Sequence, residues 1–315
     1  MRANAARRIA VRKVKKLLQF QPVRLSDKAI IDSYLKPHAF ECSEFTFTNF
    51  IIWGQDEKIQ WAEQDDVLYI RLQFAKKQHP FMFPPIPKSF DMDYGKALEA
   101  AFEYFSAIGF APRFRSVNGR FIELFQTYAP LFSLTPDRNT FDYIYSAEDL
   151  ITLKGRKYHA KRNHINQFTS QYSFTYEPLT LERTKECMEL YMSWLQDKDI
   201  NEPGILGEMK AISFLLPNMD ALHVKGGCIY VAGKLVAFSL GEQVKEDMAV
   251  IHIEKADASY AGLYAIINQQ FAEHAWSDMT YLNREEDMGI PGMRKAKLSY
   301  QPVKLIEKYD AVLRP

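Results

Sequence analysis

The sequence predicts a mixed α/β protein built from two α/β units in tandem. Three observations carry this expectation. Segments with apolar residues at helical spacing alternate with short β-branched and aromatic runs along most of the chain. The order of those segments repeats: Phe81 to Tyr145 and Met248 to Ile306 each run strand, helix, strand, polar glycine-containing segment and last strand, and each follows a hairpin. Residue identity between the halves is negligible, so the repeat is architectural. Finally, 315 residues that are 47% hydrophobic and 14% aromatic can fill two cores of ordinary size, which excludes a disordered chain.

Residues 1–21 read as a basic leader carrying Arg2, Arg7, Arg8, Arg12, Lys13, Lys15 and Lys16. It has no apolar h-region and is therefore not a secretory signal. Ile9, Val11, Val14, Leu17 and Leu18 give it the pattern of a basic amphipathic helix capable of peripheral membrane contact; a loose terminus is the simpler reading. The first unit is expected over 22–147. Ser26-Asp27 caps a helix from Lys28 to Leu35, stopped before Pro37. Phe45 to Trp53 (FTFTNFIIW) is a buried helix or strand that periodicity does not decide. Lys58 to Glu63 and Val67 to Phe74 flank a Gln64-Asp65-Asp66 turn as a hairpin. A short strand at Phe81 to Phe83 precedes a helix from Tyr94 to Ala107, which ends at Gly109. Phe114 to Val117 (strand), Gly119 to Thr127 (helix) and Phe141 to Tyr145 (strand) follow.

The second unit is expected over 148–315, with the boundary between Tyr145 and Lys154. Lys154-Gly155-Arg156-Lys157 leads into a basic helix, Tyr158 to Gln171. A strand (Ser173 to Glu177) and two helices (Thr184 to Leu195 and Gly204 to Leu216) come next. Val224 to Val231 and Leu235 to Val244 form a hairpin, Met248 to Lys255 has the composition of a central strand, and Ala261 to Ala275 carries an apolar helical stripe. Met279 to Asn283 is a strand. A charged stretch then crowds Asn283, Arg284, Glu285, Glu286 and Asp287 against Gly289, Pro291 and Gly292, followed by Arg294, Lys295 and Lys297 and a β-like run from Val303 to Ile306. Tyr300 and Tyr309 read as core.

The formal net charge of +1 excludes a polyanion binder in the global sense, so any nucleic-acid contact must come from a local patch. Cys42, Cys187 and Cys228 lie far apart and show no ligand spacing, which points to reduced thiols in a cytoplasmic protein with neither a zinc site nor a disulfide framework. No apolar run approaches the ~18 residues of a membrane-spanning helix, so no integral membrane segment is expected.

The strand–helix order is that of the Gcn5-related N-acetyltransferase (GNAT) fold. The wording of particular segments goes further. HAKRNHINQF (159–168), AFSLGEQ (237–243), AVIHIEKAD (249–257) and LNREEDMGIPGMRKAKLSYQPVK (282–304) resemble the lysylphosphatidylglycerol synthase C-terminal domain family, particularly its stand-alone bacterial members, and FTFTNFIIW (45–53) resembles the same group's N-terminal half. The resemblance covers most of the chain after Pro22. It implies an α/β fold of two tandem GNAT-like domains, related to the Fem-type aminoacyltransferases. It also implies transfer of an aminoacyl group from aminoacyl-tRNA to an amine, lipid or peptide acceptor.

Acyl-CoA-using GNAT domains open the helix after the central strand with a [Q/R]-x-x-G-x-[G/A] turn, whose N–H groups hold pyrophosphate. The turn here, Ser259 to Tyr264, keeps only Gly262 as a cofactor-binding candidate, and no cofactor is expected. An aminoacyl-tRNA user needs a basic groove, a base and oxyanion donors. Lys161, Arg162, Asn163 and Asn166 on the basic helix, with Lys295 and Lys297, are candidates for contact with substrate; a basic surface helix explains Lys161 and Arg162 equally well, and capping or inter-domain hydrogen bonds explain Asn163 and Asn166 better. Glu254 and Glu242, on neighbouring strands, and Glu286 are candidate bases, and His252 falls on the face of Glu254 by strand alternation. A buried ion pair of Glu254 with Arg284 or a lysine is the competing explanation. Asn283, Arg284, Glu285 and Asp287 form an expected substrate-positioning wall, or else a salt-bridged brace for the closing strand. Two further functions stay open at this stage: an acyl-CoA-dependent N-acyltransferase and a non-catalytic ligand-binding protein.

Overall fold

In the computed structural model, residues 17–55, 58–74, 78–196 and 204–314 are described. Most of the basic leader, residues 1–16, lies outside them. The first sheet contains β1 (Gln21–Pro22), β2 (Ile59–Gln64), β3 (Val67–Leu72), β4 (Phe81–Met82), β5 (Ile86–Pro87), β6 (Arg113–Val117) and β7 (Phe132–Pro136). Helices α1 (Lys28–Leu35), α2 (Phe47–Trp53), α3 (Tyr94–Ala107) and α4 (Arg120–Tyr128) belong to the same half. FTFTNFIIW, undecided by periodicity, is helical from Phe47, because Thr46 caps it by accepting the Asn49 N–H at 3.0 Å.

The second half contains β8 (Asp142–Ser146), α5 (Ala147–Thr152), α6 (His159–Gln171), β9 (Phe174–Pro178), α7 (Thr184–Leu195), α8 (Ile205–Leu215) and α9 (Met219–Leu222). It continues through β10 (Lys225–Val231), β11 (Lys234–Lys245), β12 (Met248–Ala256), α10 (Leu263–Trp276), β13 (Tyr281–Asn283), α11 (Pro291–Leu298), β14 (Lys304–Ile306) and β15 (Tyr309–Leu313). The segment after Gly289, expected as a charged loop, is the helix α11. Pro291 occupies its first turn, where a missing N–H leaves nothing unsatisfied, so the residue that looked like a breaker is a helix start.

The two sheets exchange strands. The first runs β1-β2-β3-β4-β6-β15-β7 and the second β14-β8-β13-β12-β11-β10-β9. Thus β15 lies between β6 and β7, as β8 lies between β13 and β14. The sheets do not divide at residues 147 and 148: β8 belongs to the second sheet and the last strand to the first. Each sheet has a parallel pair at the corresponding place, β4 with β6 and β12 with β13. One apolar cluster runs from the first sheet into α7 and α8. Phe114 is fully buried in it, 5.0 Å edge-to-face from Phe125 and 5.8 Å from Phe132. Truncation of such a side chain to Ala costs about 3–5 kcal/mol.

Where β11 meets β12 the register slips between Leu240 and Gly241: Leu240 faces Ile253 and Gly241 faces Ile251, which leaves His252 as the extra residue of a bulge. Gly241 is required there, since a Cβ would stand 2.5 Å from the Val250 carbonyl oxygen. Bulges re-aim side chains, and this one brings Glu242 and His252 together.

Candidate functional site

The charged stretch after β13 is a tightly held turn. Buried Asn283 donates to the Glu41 carbonyl at 2.8 Å and to Asp142 at 3.0 Å, and its Oδ1 accepts the Glu285 N–H at 2.7 Å. Glu285 itself has φ of 55°, in the left-handed region. From α11, the Lys297 ammonium donates to the carbonyls of Arg284 (2.5 Å), Glu285 (3.1 Å) and Glu286 (2.5 Å). Burial and the nearby Arg284 push Lys297 down to about 8. The cation therefore pins three consecutive peptide units and fixes the direction in which each side chain leaves the turn.

Arg284 points toward α6. Its Nη2 lies 2.9 Å from Glu254, whose other oxygen accepts from Asn268 at 3.3 Å. The guanidinium sits over Tyr300 (4.9 Å) and Tyr145 (5.6 Å), and its buried Nη1 has no hydrogen-bond partner among the described residues. Lys161 of α6 reaches the same Tyr300 ring, 3.8 Å from its centroid. Burial and then Arg284 push Lys161 down to about 8, and it makes no salt bridge among the described residues. Glu254, a candidate base, is engaged here as the counter-ion of Arg284.

Glu285 points the other way, to the bulge. Its Oε1 is 2.9 Å from His252 Nδ1 and accepts from Asn49 of α2 at 3.1 Å, while His252 Nε2 is 3.1 Å from Glu242. The His252 side chain has no exposed surface. Burial opposes its charge, but the hydrogen bonds to Glu242 and Glu285 outweigh burial and raise the ring to about 9. The ring is an imidazolium between two carboxylates. It grips the turn from behind, and Glu242 is its second anchor.

Glu286 faces the junction between the two units. Its half-buried carboxyl has no hydrogen bond or ion pair among the described residues. Burial, opposed by Lys308 and reinforced by Glu44, Glu285 and Asp142, raises it to about 8. Lys308 and Asp142 are both 0% exposed and lie 2.7 Å apart, and Lys308 also pairs with Glu44. Asp142 accepts from the Ser43 N–H (2.7 Å) and hydroxyl (2.9 Å). The ligand atoms of Cys42, Glu44 and Asp142 lie close enough together to hold a metal ion, but the Lys308 ammonium takes the place of a cation among them. Burial also pushes the Cys42 thiol up, away from the thiolate a metal requires.

The remaining candidates are dispersed. Asp287 is fully buried and accepts from Tyr143 (2.5 Å), Arg294 (2.8 Å), Arg138 (3.3 Å) and the Gly289 N–H (2.9 Å). Burial works against its charge, yet these donors hold the carboxyl well below the usual range. It braces the turn. Arg162 caps α5 by donating to the carbonyls of Leu153 and Gly155. Asn163 and Asn166 are exposed on α6, and Lys295 is exposed on α11. Gly262 has φ of 91°, and a Cβ there would stand 2.2 Å from the His164 carbonyl oxygen. Its bare backbone is filled by α6, and the first N–H groups of α10 bond to Tyr260 and Gly262 carbonyls.

Sequence reasoning missed Glu44, Asn49, Asp142 and Lys308. A polar Asn49 inside FTFTNFIIW was the available signal, since a buried amide needs partners.

Residues 37–312 match the family model described as phosphatidylglycerol lysyltransferase, C-terminal. The crystal structure of a conserved protein of unknown function from Bacteroides thetaiotaomicron VPI-5482 is similar at a TM-score of 0.87 and 35% identity, covering 95% of this chain and 100% of that one. L-PGS from Bacillus licheniformis is similar at a TM-score of 0.64 and 14% identity, covering 91% of this chain and 92% of that one. FemX is similar at 0.56 and 11%, covering 94% and 97%. At these identities the last two likenesses are of fold, and the architecture is that of tandem GNAT-like domains. An uncharacterized protein of Mycoplasmoides gallisepticum is 24% identical over 171 residues, 53% of this chain and 54% of that protein. The chain thus spans about half the length of the curated relative it matches.

Proposed function

Because the chain belongs to the phosphatidylglycerol lysyltransferase C-terminal family, we propose that it is an aminoacyltransferase, moving an aminoacyl group from aminoacyl-tRNA to an amine, lipid or peptide acceptor. The observation that carries this reading is the Arg284–Glu286 turn. One end holds a guanidinium beside the Lys161 ammonium, which has no salt bridge among the described residues, and the other holds a carboxyl with no hydrogen bond or ion pair among them. Acyl transfer from an ester uses both. The acceptor nitrogen or oxygen attacks the ester carbonyl carbon while its proton passes to the Glu286 carboxylate. The carbonyl π electrons move onto oxygen, where Lys161 and Arg284 supply opposing charge. Collapse re-forms the carbonyl and breaks the bond to the ribose oxygen, which takes the proton from Glu286. A carboxyl held at about 8 is matched to proton transfer near neutral pH. Lys154 and Arg156, exposed ahead of α6, are further cations available to a nucleic-acid backbone.

Binding of the purified protein to aminoacyl-tRNA across a salt series tests the reading. Affinity is expected to fall steeply with salt. Glu286→Gln is expected to retain binding and to melt no lower than the wild type at neutral pH, because it removes a carboxyl that burial disfavours, while transfer to a model amine drops about 10²–10⁴-fold. Indifference to tRNA at low salt removes the proposal.

A further inference from the structure

Single exposed apolar side chains are normal on any protein surface. One group here is concentrated. Met288 is 59% exposed, Ile290 46% and Leu298 43%. Ile290 caps α11 and Leu298 ends it, and the four-residue steps from Ile290 through Arg294 to Leu298 put them along one side of the helix. An open groove of about 540 Å³ includes Leu298 and Gly289, the residue between Met288 and Ile290, and its lining also takes in Arg294 and Lys295.

The charge around this groove is unbalanced. Arg138 and Arg294 share the single buried carboxylate of Asp287. Lys295 is exposed and forms no ion pair among the described residues. Three positive charges therefore meet one negative charge, and that negative charge is fully buried beneath them. An apolar surface rimmed by excess cations complements the interface of an anionic membrane, where apolar side chains enter the acyl boundary and cations meet phosphates. Nucleic acid would satisfy the charge and leave the apolar residues in water.

We propose that α11 and the Met288–Ile290 approach to it dock the protein on an anionic phospholipid bilayer. The proposed contact is made by exposed side chains of a short helix, and no helix among the described residues is long and apolar enough to cross a membrane. Met288 directly follows the Arg284–Asp287 turn, and docking there holds the candidate site at the lipid surface.

Co-sedimentation with phosphatidylcholine vesicles, with and without phosphatidylglycerol, tests this. The protein is expected to partition onto the anionic vesicles only, less so as salt rises. The triple variant Met288→Gln, Ile290→Gln, Leu298→Gln is expected to lower that partition about tenfold or more. Leu131→Gln, at a leucine 71% exposed in the first unit, is expected to change nothing. All four side chains are exposed, and unchanged melting curves verify that the variants fold. Absence of binding to anionic vesicles, or equal binding by the triple variant, overturns the proposal. A concentration-dependent rise in mass without lipid, lost in the triple variant, overturns it in favour of a second copy on this face. Neither tRNA nor turnover enters the assay, so its failure is separate from failure of the transfer reading.

Discussion

Replacing His252 with glutamine tests the charge on which the turn depends. Burial disfavours the imidazolium, but Glu242 and Glu285 lift the ring from its ordinary 6.5 to about 9. A group whose value is raised on folding contributes stability that is fully present below its unfolded value and is lost as pH rises through its folded value. For His252 the window runs from 6.5 to about 9. A shift of that size corresponds to ~3 kcal/mol. Urea unfolding of the wild type and His252→Gln between about pH 6 and about pH 10 measures it. The advantage of the wild type is expected to shrink by ~3 kcal/mol across that range. The difference between the two proteins is the informative quantity, because other groups titrate nearby with their own signs. Lys161 and Lys297, both lowered to about 8, add stability as pH rises above that value. Glu286, raised to about 8, removes stability from the ordinary carboxyl range upward. Those contributions are common to both proteins. A gap that stays constant from acid to alkaline pH refutes the imidazolium, as does a His252 ring signal in nitrogen NMR that titrates at the ordinary value.

Gly262→Ala is expected to destabilise the protein by about 2–4 kcal/mol, since the new Cβ meets the His164 carbonyl at a left-handed backbone position. A thermal melt that moves by less than the equivalent of about 1 kcal/mol contradicts that packing, and acetyl-CoA is expected to stabilise neither protein. Lys308→Met is expected to cost about 3–5 kcal/mol by leaving Asp142 and Glu44 without their cation, and adding Asp142→Asn recovers part of the loss. A neutral Lys308→Met in denaturant unfolding sinks that account.

Local signals carried a good part of this structure. The amphipathic helices α1, α3 and α7 begin and end where spacing and stop residues put them, because both properties are written within a few turns. Several short elements escaped, β7 and α9 among them, and two show the local reasons. Pro291 and Gly292 looked like a turn and start a helix, and β15 is too short and too mixed to stand out. The exchange of β8 and β15 was not legible, because strand pairing across the chain leaves no local trace. At the site, the Arg284–Glu254 pair was one of two readings of a buried carboxylate, and a buried charge without a partner is costly. The bulge that re-aims His252 breaks the simple alternation from which its direction was read. Asn49 and Lys308 come from 236 and 264 positions away from the groups they contact, a distance only the fold closes.

The strand exchange bears on how the chain is assembled. During synthesis the seam between β6 and β7 stays open until Tyr309–Leu313 become available to fill it. The first unit can collapse early, yet its sheet waits for a segment made almost two hundred residues after β6. Closing so long a loop is slow, and an open strand edge is exposed to wrong partners meanwhile. Cutting the polypeptide between the units would therefore yield two halves each lacking the strand next to one edge of its sheet, so the duplicated architecture is a single folding unit despite its internal repeat.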